Sequence, residues 1–343
     1  MKNKKLISFL IIFVLAVVIC ISFIYKTIFG LNLKTGGEKI TLYIPEGSSY
    51  KQAMDTIRAH FEIPDPRAFS WLAQKKKYPA LIKPGRYIIG SDISYTGLIN
   101  LLRSGRQAPV NVTFNNVRTL NELAGKIGKQ IDADSVHLIN FLSDPGNYSK
   151  DGFTRETVIS VFIPNTYQLF WNTNAEGLYL RMLKEYNKFW NDERQAKAES
   201  RNLTRIEVSV LASIVDEEAA ASDEKPRIAG VYMNRLKRGI PLQADPTVKF
   251  ALNDFTVTRV LKRHLEVNSP YNTYMHRGLP PGPIGCPSIS GIDAVLNAEK
   301  HDYLYFAAKA DFSGYHNFSR TLSEHNRYAA EYQRELNRRR IYR

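Results

Sequence analysis

Cysteine is nearly absent: the 343 residues contain two, Cys20 and Cys286. Cys20 lies inside a long apolar run, so no disulfide between them is expected, and two lone cysteines cannot build a CxxC-type zinc site. Close histidine pairs are missing as well. His264, His276, His301, His316 and His325 crowd the last quarter, yet none forms HxxxH, HExxH or HxH. Zinc sites usually carry at least one close ligand pair, so no metal is expected. Ser288 and Ser290 lack a GxSxG elbow, which argues against a serine nucleophile. "GLPPGPIGCP" has spaced glycines but no following Lys-Ser/Thr, so it is not a phosphate loop. No helix-turn-helix, zinc-finger or RNP signature points to nucleic acid. A repeat period of about 20–50 residues is also lacking, which excludes a solenoid.

Acidic residues are the minority, 33 Asp+Glu against 47 Lys+Arg, for a net charge of +14. That balance suits an anionic partner such as acidic lipid or an anionic polymer. The cations are spread along the chain, with small clusters at 75–77 and 338–340. A solvated basic surface therefore reads equally well. Hydrophobic content of 44% and charged content of 23% fit a folded protein, and the length allows two or three domains.

Long apolar runs are limited to one. "LISFLIIFVLAVVICISFIY", residues 6–25, carries no charge and is long enough to cross a bilayer as a helix. Bulky residues follow it, with no small-residue cleavage site, so an uncleaved anchor is expected rather than a signal peptide. Lys2, Lys4 and Lys5 precede it. The positive-inside rule then places residues 1–5 in the cytoplasm and the remainder outside the membrane.

A linker, 26–38, with a Gly pair leads to "KITLYIPEG", where Ile40, Leu42 and Ile44 alternate as in a strand. Helix, helix, strand and helix patterns follow, with Ser48 or Ser49 as the first cap and Gly105 as the last stop. This β-α-α-β-α stretch, 39–107, reads as a small α+β module. From 108 onward the chain reads as a mixed α/β region. Thr119 with Glu122, and Thr204 with Glu207, have capping-box spacing. Residues 176–202 read as one long charged helix. Pro164 argues against a central strand around "VFIPNTYQLFW". Beyond Gly239 the chain is rich in Gly, Pro, Asn and His with little periodicity, and long irregular stretches of that kind are usually functional.

"LASIVDEEAA", 211–220, sets three acids after an apolar run. With Leu211 placed at 0° on a helical wheel, Val215 falls at about 40° and Glu218 at about 340°. Asp216 and Glu217 fall near 140° and 240°, off the stripe. Glu218 is thus the acid directed at the apolar face, where its charged form is disfavoured and its pKa raised. A general acid needs that property near neutral pH. Alternatively, Glu218 ends the stripe and pairs with Arg227 or Arg235. Ordinary glycoside hydrolysis needs a second acid, for which Asp245 and Asp216 are candidates.

Several stretches together are similar to one family. "LASIVDEEAA", "RIAGVYMNRLKRGIPLQADPTVKFAL", "SPYNTYMHRGLPPGPIGCPSISGIDAVLNAE", "YHNFSRTLSEHN" and "FIPNTYQLF" resemble the endolytic murein transglycosylases, the YceG-like or MltG family. The resemblance covers nearly the whole chain. It implies α+β architecture: an N-terminal transmembrane helix, a LysM-like module carried by "IPEGSSY", "GRYII" and "LLRSG", then a catalytic domain over 108–343. It implies Glu218 as the catalytic acid. It also implies substrate-binding roles for Asn234, Arg235, Gln243, Asp245, Thr247, Tyr271, Asn272, Thr273, Tyr274, His316 and His325. Gln243, Asn272 and Tyr274 are expected to orient sugar hydroxyls and acetamides. Many members read Glu-Lys-Glu where this chain has Asp216-Glu217-Glu218, and "PDTY" where it has "PNTY", so Asn165 is no acid.

The implied reaction is cleavage of peptidoglycan glycan strands without water, at the bacterial inner membrane and with no cofactor. Peptidoglycan synthases are the implied protein partners, and nucleic acid is not one. A peptidoglycan-binding scaffold without activity is the alternative.

Overall fold

The computed structural model describes residues 2–30, 32–219, 221–257 and 259–339, with side chains from Ile7 onward. Met1 and the side chains of the expected cytoplasmic tail, 1–5, lie outside the described residues, as does Arg340 of the C-terminal basic cluster.

The chain forms two compact units of mixed α+β character. The first runs to Val112 and adds Gln130–Ala133 and Tyr167–Thr173. It opens with α1 (Lys2–Phe29), whose stretch Ile7–Phe29 is long and apolar enough to cross a membrane. The helix continues past Tyr25, through residues expected to be linker, because nothing from Lys26 to Phe29 breaks it. Then come β1 (Ile40–Ile44), α2 (Tyr50–His60), α3 (Pro66–Lys75), β2 (Gly85–Ile89) and α4 (Tyr95–Ser104), in the expected order. β1 and β2 pair antiparallel, with Ile40 opposite Ile89 and Ile44 opposite Gly85. Leu42 and Ile44 are buried on one face, and α2 buries Ala53, Met54 and Ile57, with Phe61 at its C-cap, against the same core. Ser49, not Ser48, caps α2, in a reciprocal box with Gln52. Gly105 ends α4 at a φ of 68°, a conformation that glycine adopts without steric cost.

β3 (Val110–Phe114) leads into the second unit, followed by α5 (Leu120–Gly128), α6 (Ser135–Ser143) and β4 (Asn165–Leu169). Strand β4 starts directly after Pro164. The sheets are two-stranded among the described residues, so the proline interrupts no central strand. The expected long helix over 176–202 is in fact two, α7 (Ala175–Phe189) and α8 (Asp192–Glu199). Asn191 breaks it: its extended backbone lets the side chain accept from the Arg194 N–H and start a new helix. α9 (Arg205–Glu218), α10 (Lys225–Lys237), α11 (Asp245–Leu252) and α12 (Ile289–Leu296) follow. The unit closes with the antiparallel pair β5 (Tyr305–Ala308) and β6 (His316–Ser319), then α13 (Leu322–Arg338). The Gly/Pro-rich tail is therefore more regular than its composition suggests. Apart from the 17-residue α13 its elements are short, eight residues in α11 and α12, too short for a periodic signal.

Asp216 ties three helices together. Its carboxylate takes the Lys225 Nζ at 2.7 Å, the Ser288 N–H at 2.7 Å and the Ser288 hydroxyl at 2.8 Å. Ser288 in turn caps α12 by accepting from the Gly291 N–H. Gly291 must be glycine for this approach, since a Cβ there would collide with the Asp216 carboxylate. Lys225→Met is expected to destabilise the protein by about 1–3 kcal/mol, the cost of leaving a largely buried carboxylate short of a donor. Urea unfolding measures it, and an unchanged midpoint would show that the cluster holds nothing.

Candidate active site

α9 is positioned by the Thr204–Glu207 capping box and by full burial of Val208 through Val215. Its last turn carries the three acids, and each meets a different partner. Asp216 joins the helix-tying cluster. Exposed Glu217 pairs with Arg118, whose Nη2 lies at 3.0 Å and Nε at 3.3 Å from its two oxygens. Glu218 accepts a hydrogen bond from the Tyr232 hydroxyl at 2.9 Å.

Burial of the Glu218 carboxyl pushes its pKa up from 4.5 to about 7. The Asp245 and Glu217 charges add to the rise, while the Tyr232 hydrogen bond and the Lys249 charge oppose it. The two arginines that sequence offers as ion-pair partners are engaged elsewhere. Arg227 pairs with Glu299 at 2.8 Å. Arg235 donates to the backbone oxygens of Pro241 and Leu304 and to the Gln243 side chain. Glu218 thus has a neutral hydrogen-bond donor where a salt bridge was the alternative. Tyr232 remains that donor across the working pH range, since burial, with Glu218 adding, holds its phenol well above the usual value.

Asp245 opens α11 and accepts from the Tyr274 hydroxyl at 2.6 Å. Thr247 and Thr273, both buried, share a hydroxyl hydrogen bond of 2.8 Å. Thr273 also accepts the Ala244 N–H through its hydroxyl and the Gln243 N–H through its carbonyl. Asn272, fully buried, donates to the Leu265 and Val267 carbonyls and accepts from the Tyr274 N–H. Thr247 and Thr273 thereby tie the segment 243–247 to the loop 265–274, and Asn272 braces that loop from within.

Other expected site residues stand in separate surroundings. Asn234 donates to the His301 and Tyr303 carbonyls at 2.7 and 3.0 Å. Tyr271 packs at a tilt against Phe250, ring centroids 4.7 Å apart, on the wall of a cavity of about 300 Å³ that Arg118 and Arg155 also line. His316 meets the buried Glu224 through Nδ1 at 2.8 Å and through its backbone N–H. His325 stacks on Tyr305 at 5.4 Å. Among the described residues no group of three or more His, Cys, Asp or Glu could hold a metal ion.

A profile described as the YceG-like family matches residues 42–331. The chain belongs to the YceG-like family. It is 29% identical over 309 residues to the endolytic murein transglycosylase of Bacillus subtilis strain 168, covering 85% of this chain and 84% of that protein. It is 28% identical over 323 residues to the protein of that name from Streptococcus pneumoniae serotype 2, of which it spans 58%. Its fold is similar to a crystal structure of a YceG-like protein from Listeria monocytogenes. The TM-score is 0.57 at 28% identity, over 84% of this chain and 98% of that one.

Two side chains of this YceG-like site were not flagged by sequence reasoning. They are Tyr232, which donates to Glu218, and Glu224, which accepts from His316. The signal for Tyr232 was present: Ile228, Val231, Tyr232 and Arg235 share one buried face of α10 at i, i+3, i+4, i+7 spacing. An arginine on that face announces a buried polar cluster beside it.

Proposed function

We propose that this chain is a membrane-anchored endolytic lytic transglycosylase of peptidoglycan, with Glu218 as its single proton carrier. The observation that carries the reading is one carboxyl, desolvated to a pKa of about 7, fixed at the end of a buried helix by a tyrosine. The name its relatives carry, endolytic murein transglycosylase, supplies the substrate class.

The chemistry follows from that carboxyl. Protonated Glu218 donates to the glycosidic oxygen between N-acetylmuramic acid and N-acetylglucosamine, and the bond from that oxygen to the muramic C1 breaks. The resulting carboxylate takes the proton from the same muramic sugar's C6 hydroxyl. O6 then bonds to C1, closing a 1,6-anhydro ring with no water consumed. Cutting nascent strands this way would end their elongation. In this reading residues 6–25 span the bacterial inner membrane once, 1–5 face the cytoplasm, 39–107 are a LysM-like positioning module, and 108–343 are the catalytic region outside the membrane. Peptidoglycan synthases in the same membrane are the natural partners.

Mass spectrometry of digested glycan strands tests this directly, because anhydro ends are one water lighter than hydrolysed ends. Water-bearing ends would make the protein a hydrolase, and binding without cleavage would make it a scaffold.

Tyr232→Phe supplies a finer check. The tyrosine's hydrogen bond lowers the Glu218 pKa, so its removal is expected to move the alkaline limb of the pH–rate profile upward by about one unit. A limb that stays in place, or moves down, would show that the tyrosine does not tune the acid.

A further inference from the structure

The Gln243 side chain has a polarity imposed on it. Arg235 donates through Nη2 to the Gln243 Oε1. A guanidinium has donors only, so it can face only the oxygen end of an amide. The NH2 end must therefore point away from Arg235. Gln243 is exposed, and among the described residues its Nε2 has no acceptor.

Both ends of this arrangement are anchored by hydrogen bonds. Arg235 is buried, with its other nitrogens on the Pro241 and Leu304 carbonyls. Gln243 has a φ of 54°, a left-handed conformation costly for a residue with a Cβ. Its own N–H donates to the Thr273 carbonyl at 3.1 Å, and the next N–H, of Ala244, to the Thr273 hydroxyl at 3.0 Å. Arg235 lies one turn along the buried face of α10 from Tyr232, the residue that holds Glu218. Of the three side chains expected to orient sugar groups, Asn272 is buried with its amide satisfied, and the Tyr274 proton is given to Asp245. Gln243 alone among them keeps free donors.

We propose that Arg235 is a positioning residue that turns Gln243 into a donor-only contact, which recognises the acetamide carbonyl of an N-acetylated sugar next to the bond being cut. The proposal rests on the transglycosylase reading and adds to it a requirement for the acetyl group. An N-deacetylated sugar offers an ammonium there, itself a donor, and meets Gln243 donor to donor.

The decisive variant is Gln243→Glu. The carboxylate still accepts from Arg235, so the anchor survives, but the free end changes from donor to acceptor. kcat and KM are measured on N-acetylated and chemically N-deacetylated glycan strands. The wild type is expected to favour acetylated strands by about tenfold or more in kcat/KM. Gln243→Glu should lose that preference or reverse it. Gln243→Ala, which removes both ends, should lower turnover of acetylated strands with little preference left. A wild type that cuts both strands equally, or a Gln243→Glu variant that slows both by the same factor, overturns the proposal. Neither outcome touches the parent reading, which fails only if no anhydro ends form at all.

Discussion

Glu218→Gln is expected to lower the rate of anhydro-end release by about 10²- to 10⁴-fold, the usual range for removing a general acid–base. The substitution keeps the shape of the side chain. The new amide oxygen can still accept the Tyr232 hydroxyl, so α9 and α10 keep their contact. Only the transferable proton is lost. In the proposed reaction one group gives a proton to the leaving oxygen and recovers one from the C6 hydroxyl, so no second acid can stand in. Glu217→Gln is the control. Glu217 is exposed and bound to Arg118, and its charge raises the Glu218 pKa only weakly. Its loss should leave activity within about threefold, since an exposed charge already paired with an arginine is worth little. The measurement is muropeptide mass spectrometry with matched thermal melts. Wild-type release by Glu218→Gln would sink the mechanism. Equal loss in Glu217→Gln would sink the assignment among the three acids.

How far the site could be read in advance depended on whether a residue's role is local. The angle of Glu218 on α9 is a property of a few consecutive residues, and periodicity alone separates it from Asp216 and Glu217. Caps are equally local, so Thr119, Thr204 and Gly105 mark their helices in sequence and in structure. The partner of Glu218 is not local. Tyr232 lies on the next helix, and only the packing of α10 on α9 brings its hydroxyl to the carboxyl. The same holds for Asp216, whose three donors come from α10 and from the loop before α12. The segment 241–247 looked irregular because its order comes from hydrogen bonds to Thr273, distant in sequence, rather than from any repeat. Several residues expected to touch substrate use their polar groups within the protein. Family resemblance marks a residue as required, and says nothing about whether it contacts a ligand or holds the residue that does.

The same buried carboxyl should make the protein less stable as pH rises, and that can be separated from catalysis. In an unfolded chain Glu218 titrates near 4.5, and in the folded protein near 7. Between those values the folded state holds a proton that the unfolded state has lost. Stability therefore falls with increasing pH across this window, and is flat for this group below and above it. A shift from 4.5 to about 7 corresponds to roughly 3 kcal/mol between the two limits. A glutamine at this position has no such proton. Glu218→Gln should therefore melt close to wild type at about pH 4 and some 5 °C or more above it at about pH 8, for a chain of this size. Activity follows the opposite logic: the wild type needs the proton and should lose rate above about pH 7, while the glutamine variant stays inactive throughout. An inactive variant that is more stable than wild type only at high pH identifies a desolvated acid kept for its chemistry. If the melting difference is the same at both pH values, Glu218 is not the group that titrates, and the raised pKa cannot be used to explain its role.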